Sequence, residues 1–507
     1  MTDSAVPSAS LRPGAHRATR LRVAAAWGVA WFGALALLPA HLLAAGFEIP
    51  DNGAKAISRG SAFTVRADDL TAMAHNPAGL LKARDLRRTR GAGGSWHALQ
   101  TSHNLIYAPM TFQRAESSVP QVASNDPGST DPLAKVENET PWFAKGGSLF
   151  YGTDLGLDDF AFALGVYGPN AAGHQKYPVT GGPRWMLVEL DALIVYYSAA
   201  IAYGKRDTWG VGLTLQLAHQ PMTKMSLVID GTPGGEQSPY YAPTDVLATL
   251  SMSATPVPTA IFGAWWRPIE ALEFGVSGRF LPVKLAASGD IGLTNTPGGS
   301  QFTPAQLEVE GGAARLTLTI PPTARAGVRY RHMDGATERF DVELDVVWEG
   351  WSMMKEYKVE LDGLIKLFAA TEAPDVVISK RWRDTLSLRL GGTYNLDGLP
   401  LSLSAGGFYE SAAVPNNYSH LDFPSFMRIG VAAGASGRLF GNIDWVVGYS
   451  HIFQESRTVS ELFGKVLQQR PVAECPTGCD GFDSIPANAG VFSGSYDIVT
   501  ASLAYTF

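Results

Sequence analysis

The stretch Phe340–Trp348 alternates without interruption. Phe340, Val342, Leu344, Val346 and Trp348 share one parity, and Asp341, Glu343 and Asp345 share the other. A β-strand turns successive side chains to opposite faces, so one face of this segment is apolar and the other carries carboxylates. A soluble sandwich tolerates such a strand only where the charged face is wet. In a membrane barrel the apolar face meets lipid and the charged face meets a polar lumen. Two more segments repeat the pattern. Leu386, Leu388, Leu390 and Tyr394 oppose Thr385, Ser387, Arg389, Thr393 and Asn395. Leu316, Leu318, Ile320, Val328 and Tyr330 oppose Arg315, Thr317, Thr319, Arg325 and Arg329. On this reasoning every polar set points into the lumen.

Fourteen strand-like segments follow residue 92: about 93–113, 141–152, 158–168, 185–204, 207–222, 256–267, 271–284, 313–332, 338–350, 381–396, 399–410, 424–437, 441–455 and 492–507. Short connections near Asp154, Lys205, Pro268, Gly335, Gly398 and Leu439 alternate strictly with long ones. Short periplasmic turns, long external loops and an even strand count are the signature of an outer-membrane barrel. The last segment ends Tyr505-Thr506-Phe507, with Val499, Ala501, Leu503, Tyr505 and the terminal Phe507 on one face. An unpaired strand edge in lipid would leave backbone groups unsatisfied, so the wall must close. The expected fold is all-β: a 14-stranded antiparallel transmembrane β-barrel with a small N-terminal hatch inside the lumen. A hairpin centred near Gly335 would set Arg329 opposite Asp341 and Arg325 opposite Asp345, a lumenal ion ladder.

Composition supports this class. The chain has 54 glycines, 12 tryptophans, 17 tyrosines and 23 phenylalanines. Beyond the N-terminus no run of about 18 apolar residues could form a helical span. A net charge of −7 speaks against nucleic acid as a partner. At the N-terminus, Arg12, Arg17, Arg20 and Arg22 precede the apolar Val23–Leu38, and Ala44-Ala45 offers small residues for cleavage. This reads as a signal peptide over 1–44, with export to the Gram-negative outer membrane. Residues 45–92 then form the hatch and 93–507 the barrel. Within the hatch, Asp68-Asp69 is expected to start a short helix and Asn76-Pro77 to end it.

The two cysteines, Cys475 and Cys479, lie in Cys-Pro-Thr-Gly-Cys and suit a small loop disulfide in an oxidising exterior. No nearby histidine suggests a metal site, and no cofactor is expected. No G-x-S-x-G or H-E-x-x-H pattern occurs, so the chain is read as a non-enzyme.

Gly46-Phe47, then Arg59-Gly60 with Ala67-Asp68-Asp69, then Asn76-Pro77-Ala78-Gly79, resembles the hatch of FadL/TodX-type outer-membrane transporters. Along the wall, Leu316–Pro321 with Gly327, Trp348–Ser352, Arg383-Asp384 and Ser411–Pro415 fall where that family has similar stretches. The resemblance implies passive uptake of hydrophobic compounds, such as long-chain fatty acids or aromatic hydrocarbons. It also implies sideways release through a gap at a kink in the third strand.

The kink is expected at Tyr167-Gly168-Pro169, because proline cannot donate to a ladder and glycine tolerates a bend. The same residues also suit a strand top entering a loop. In the family a basic residue at the outer end of the fifth strand meets the ligand carboxylate, which points to Lys224 here. A second family lysine has no direct counterpart: Ile378 falls there, with Lys380 and Arg381 as neighbours. Ligand is expected to collect on apolar parts of loops around 223–255 and 285–312, then to enter a pocket roofing the hatch near Phe47. Further expected partners are outer-membrane lipid and lipopolysaccharide, and the barrel-assembly machinery during insertion. The chain is expected to be a monomer. A general diffusion porin and an outer-membrane lipid-modifying enzyme are the alternatives.

Overall fold

The computed structural model describes residues 52–83, 95–116, 133–169, 174–230, 244–297, 302–367, 371–372, 375–468 and 486–507. Phe47, Cys475 and Cys479 lie outside the described residues.

The wall is a closed antiparallel barrel of fourteen strands. Its first strand, His97–Tyr107, pairs with the second, Trp142–Thr153, and also with the last, Ser495–Thr506, from Ala98↔Thr506 to Tyr107↔Asp497. This register completes the ring and leaves no strand edge facing lipid.

Several strands are broken, and the breaks fall on neighbours. The seventh runs Leu272–Arg279 and Val283–Asn295; the eighth, Val309–Ile320 and Thr323–Asp334. The ninth runs Thr337–Glu349 and Glu356–Ile365; the tenth, Val376–Ser379 and Thr385–Asn395. Arg279↔Thr323 and Thr323↔Glu349 lie just below the breaks, and Val283↔Ile320 just above, so the interruptions line up across the wall. Pro282 and the Pro321-Pro322 pair supply no backbone N–H for a ladder, which accounts for two of the breaks.

Below the breaks the wall is polar inside and apolar outside. Asp341, Glu343, Asp345, Ser387 and Arg389 are buried, while Val342, Trp348, Leu386, Leu388 and Leu390 are exposed. Above the breaks the polarity reverses. Leu316, Leu318, Ile320, Val283, Leu285, Tyr357 and Val359 are buried, while Lys284, Arg315, Lys358, Glu360 and Asp362 face outward. Arg315 pairs with Asp362 at 2.8 Å on that outer surface. The lower belt is built for lipid; the upper collar is built like a soluble protein, with water outside and a dry interior.

This corrects the expectation that Arg315, Thr317 and Thr319 face the lumen. On the eighth strand even-numbered residues point outward below Pro321-Pro322 (Tyr330) and inward above it (Leu318). The break shifts the pleat by one residue, and a one-residue shift exchanges the faces. A second correction concerns loops. Segments expected as loop at 223–255 and 285–312 are largely wall, because the fifth strand spans Trp209–Asp230, the sixth Asp245–Ile269, and the seventh reaches Asn295.

The ninth-strand hairpin also differs in register. Arg329 stands opposite Glu343, Arg331 opposite Asp341, Gly327 opposite Asp345 and Arg325 opposite Val347. The turn centres between Gly335 and Ala336, and a bulge follows where His332↔Phe340 gives way to Met333↔Glu338. Together these displace the expected pairing by two residues, which preserves the faces and changes the partners.

Candidate functional site

Residues 52–83 lie inside the lower belt and are almost wholly buried. Their structure is short turns and helices, α1 (Ala54–Ile57) and α2 (Ala72–His75), then a single 3₁₀ turn at Pro77–Gly79. Asp69 accepts from the Thr71 N–H at 2.8 Å ahead of α2, and Asn76 ends it. Asp68 takes a different role, pairing with Lys55 and Arg66.

The carboxylates of the ninth strand dock this segment. Asp345 accepts from the Phe63 and Thr64 N–H groups at 2.9 and 2.8 Å. Glu343 accepts from the N–H of Val65 at 2.6 Å and of Arg66 at 3.1 Å. Asp341 receives the guanidinium groups of Arg59 at 2.7 Å, Arg66 at 2.5 Å and Arg329 at 2.9 Å. Glu273 joins Arg329 and Lys82, each at 3.0 Å. Arg329 and Asp341 thus meet diagonally rather than face to face. Arg325 instead bonds His75 Nδ1 at 3.1 Å, and Asp345 is taken by hatch backbone. A turn-rich segment has many free N–H groups, and a row of buried acids satisfies them while balancing its arginines.

The Asn76-Pro77-Ala78-Gly79 motif is the second anchor. Asn76 Oδ1 accepts from the Ala78 N–H at 3.2 Å, and its Nδ2 donates to Thr64 O at 2.9 Å and to Ala264 O of the wall at 3.1 Å. Trp265 Nε1 donates to Ala78 O at 3.1 Å. A Cβ at wall residue Gly263 would stand 2.1 Å from Asn76 Oδ1, so only glycine admits this approach. At Gly60, with φ 60°, a Cβ would lie 2.3 Å from the wall nitrogen of Gly407.

Above this floor the collar lines an apolar cavity. Leu187, Met225, Leu227, Ile229, Ala248 and Leu250 line one side, and Val359, Leu361, Val376 and Ile378 another. His420 and Asp422, from the connection between the eleventh strand (Leu401–Glu410) and the twelfth (Arg428–Leu439), close one end. Leu250, Val359 and Ile378 belong to a buried apolar cluster that continues to Phe63 and Met73 of the hatch and to Tyr167. The lining, apolar with His420 and Asp422 as its polar groups, is of the kind that takes a hydrophobic molecule.

Lys380 sits beneath the polar end, 1 % exposed, ion-paired with Asp422 and 4.9 Å from the centre of the Tyr357 ring. His420 Nδ1 lies 2.9 Å from the other oxygen of Asp422. Burial pushes the Asp422 carboxyl up, but His420 and Lys380 beside it hold it well below the usual carboxylate range. Burial also holds the imidazole of His420 and the ammonium of Lys380 below their usual ranges, against the pull of Asp422.

Lys224 does not reach the cavity. Register shifts on either side of Gln220 place Met225, Leu227 and Ile229 inward, so Lys224 points outward and pairs with Glu189 at 2.8 Å. Arg381 is exposed, at φ 50°, with its backbone N–H bonded to Lys355 O. Neither is positioned to meet a ligand in this cavity.

At the third strand (Phe160–Tyr167), the ladder to the second strand ends at Leu149↔Val166, and the ladder to the fourth (Leu187–Lys205) ends at Tyr167↔Tyr196. Among the described residues the next pair with the fourth is His174↔Asp191. Gly168-Pro169 follows the last pair of the strand and is itself unpaired in the ladder. Behind it stand Tyr167, Phe150 and Tyr196, with Gln216 Nε2 donating to the Tyr167 hydroxyl at 2.6 Å. Hatch residue Met73 comes close here because the wall has Gly165, whose Cβ would lie 2.8 Å from its sulfur.

Residues 35–473 match the family described as outer membrane protein transport protein (OMPP1/FadL/TodX). No curated protein matches the sequence. Among solved structures, a FadL homologue of Pseudomonas aeruginosa superposes with a TM-score of 0.67 at 16% identity, covering 91% of this chain and 99% of that one. The toluene transporter TbuX of Ralstonia pickettii gives 0.57 at 12% identity, covering 90% and 98%. The toluene transporter TodX of Pseudomonas putida gives 0.56 at 13% identity, covering 91% and 98%. With a family match across most of its length and a fourteen-stranded barrel like those structures, this chain belongs to the OMPP1/FadL/TodX family of outer-membrane transport proteins.

Proposed function

We propose that this protein is a passive, non-enzymatic carrier of hydrophobic compounds into the outer membrane, with the collar cavity as its binding site. The observation that carries this reading is the reversed polarity of the collar, which gives an apolar interior above a plugged polar one. A hydrophobic molecule gains by leaving water for that cavity, and no energy source is needed beyond its gradient. From there the continuous apolar cluster leads to Tyr167, and release is sideways at Gly168-Pro169, where the ladder lapses. Residues 52–83 act as a fixed floor that turns the ligand toward the wall. In the same reading residues 1–44 are an export leader, Cys475 and Cys479 form a disulfide, and the barrel works as a monomer after insertion by the assembly machinery.

Leu250→Trp fills the cavity. In proteoliposomes this variant is expected to lower uptake of a fluorescent hydrophobic probe at least tenfold, by analogy with overpacked interiors. Sugar permeation should stay at its low starting level. Unchanged probe uptake would place the route elsewhere.

A further inference from the structure

We infer that the collar cavity selects a neutral hydrophobic molecule carrying a hydroxyl group, an alcohol or a phenol, in preference to a carboxylate or a plain hydrocarbon. This rests on the cavity being the binding site. The polar atoms that Asp422 brings to the cavity are all engaged. Asp422 Oδ2 is taken by the ammonium of Lys380. Its Oδ1 accepts from the Phe423 N–H at 2.7 Å and lies 2.9 Å from His420 Nδ1. Its backbone carbonyl accepts from Gln175 Nε2 at 2.8 Å. Among the described residues the cavity lining includes no lysine or arginine, and the ammonium of Lys380 is paired with Asp422. A ligand carboxylate would therefore lose its hydration, find no free positive charge and stand beside an existing anion.

One polar atom remains. His420 is 2 % exposed and lines the cavity, and its polar contacts are made through Nδ1, which accepts from the Asp422 N–H at 3.1 Å and lies 2.9 Å from the Asp422 carboxylate. Nε2 is left to the cavity: an acceptor when the proton sits on Nδ1, a donor when it sits on Nε2. Left alone in an apolar cavity it is costly, and a ligand hydroxyl, which both donates and accepts, removes that cost in either tautomer. An alkane or arene leaves it unpaired. A site built around one buried polar group discriminates against ligands that cannot satisfy it.

The test uses the full chain in detergent micelles, with equilibrium dialysis of decane, decan-1-ol and decanoate corrected for binding to empty micelles. Decanol is expected to bind about fivefold more tightly than decane, the worth of one net hydrogen bond, and decanoate more weakly than decanol. In His420→Phe the decanol-to-decane ratio should fall to about one, and His420→Gln, which keeps an acceptor, should restore part of it. Heat-modifiable mobility of both variants checks folding. Decanoate binding more tightly than decanol, or a ratio untouched by both His420 variants, overturns the inference. Leu250→Trp is run in parallel. If it leaves all three ligands unaffected, the cavity itself is not the site, and the proposed route fails separately.

Discussion

The lower belt and the upper collar of this barrel are continuous along the same strands and have opposite interiors. In the lower belt Asp341, Glu343 and Asp345 point inward, and their partners are the arginines and backbone N–H groups of the hatch. In the collar the same ninth strand points Tyr357, Val359 and Leu361 inward; Val359 and Leu361 line the apolar cavity, and Tyr357 packs against Trp382 and Phe423. In the proposed function these are two tasks: the polar belt holds the plug through directional bonds, and the apolar collar takes the ligand.

The comparison can be broken most severely at the floor. Glu343→Ala removes a fully buried carboxylate that accepts two hatch N–H groups and pairs with Arg59. Breaking a buried charged pair costs about 3–5 kcal/mol. Since the barrel wall keeps its ladders, the loss should fall on hatch docking. A liposome-swelling assay is expected to show faster entry of small sugars, while the barrel still runs as a folded, heat-modifiable band. A tight Glu343→Ala channel would mean that the acid row does not anchor the hatch.

A smaller effect sharpens the boundary between belts. Leu388→Arg puts a charge on the outer face of the lower belt, where lipid is expected, and should cost about 2–4 kcal/mol in refolding into bilayers. Ala286→Arg puts one on the outer face of the collar, beside Lys284, and should stay within about 0.5 kcal/mol. Equal costs would erase the distinction.

The mildest effect concerns pH. The folded pKa of His420 is depressed, so as pH falls the unfolded chain takes up this proton first and the fold loses stability from the ordinary imidazole range downward. The folded pKa of Asp422 is also depressed, so its contribution is present above the ordinary carboxylate range and lost only as pH falls through the lower value. Besides these two, Lys380 faces the cluster; burial lowers its pKa, and the Asp422 carboxylate beside it pulls the other way. Decanol binding should be level through the ordinary imidazole range and weaken only at lower pH, where the folded ring takes up its proton and a charge enters the cavity. Strengthening on acidification would contradict the neutral-ring account.

Much of the wall was legible in the sequence because alternation is a local property. Phe340–Trp348 announces a strand with two unlike faces whatever surrounds it. Which face turns inward is not local. Leu316, Leu318 and Ile320 show the same alternation as Val342, Leu344 and Val346, yet they face the opposite way, because the breaks beside Pro282 and Pro321-Pro322 separate a membrane zone from an aqueous one. Lys224 faces outward for a related reason: bulges around Gln220 reset the parity of a long strand. The family resemblance pointed to Lys380, but its partners His420 and Asp422 carried no signal, since a connection and the break in the tenth strand meet only after the barrel closes. The role of the acid row was half visible. Its inward direction followed from period, but its partners, the hatch N–H groups, needed the third dimension.

The central claim is that residues 52–83 stay in place while ligand passes above them. It is tested directly by stapling the hatch to the wall. An ideal Cβ at Gly448 lies 3.1 Å from the Ser58 Cβ, close to the roughly 3.5–4.5 Å of a disulfide. Ser58→Cys with Gly448→Cys, in a chain whose Cys475 and Cys479 are replaced by serine, should therefore oxidise readily. Decanol uptake into proteoliposomes is predicted to be the same with the staple closed and after dithiothreitol opens it. Uptake that stops on oxidation and returns on reduction would show that the hatch must move, and would contradict the account.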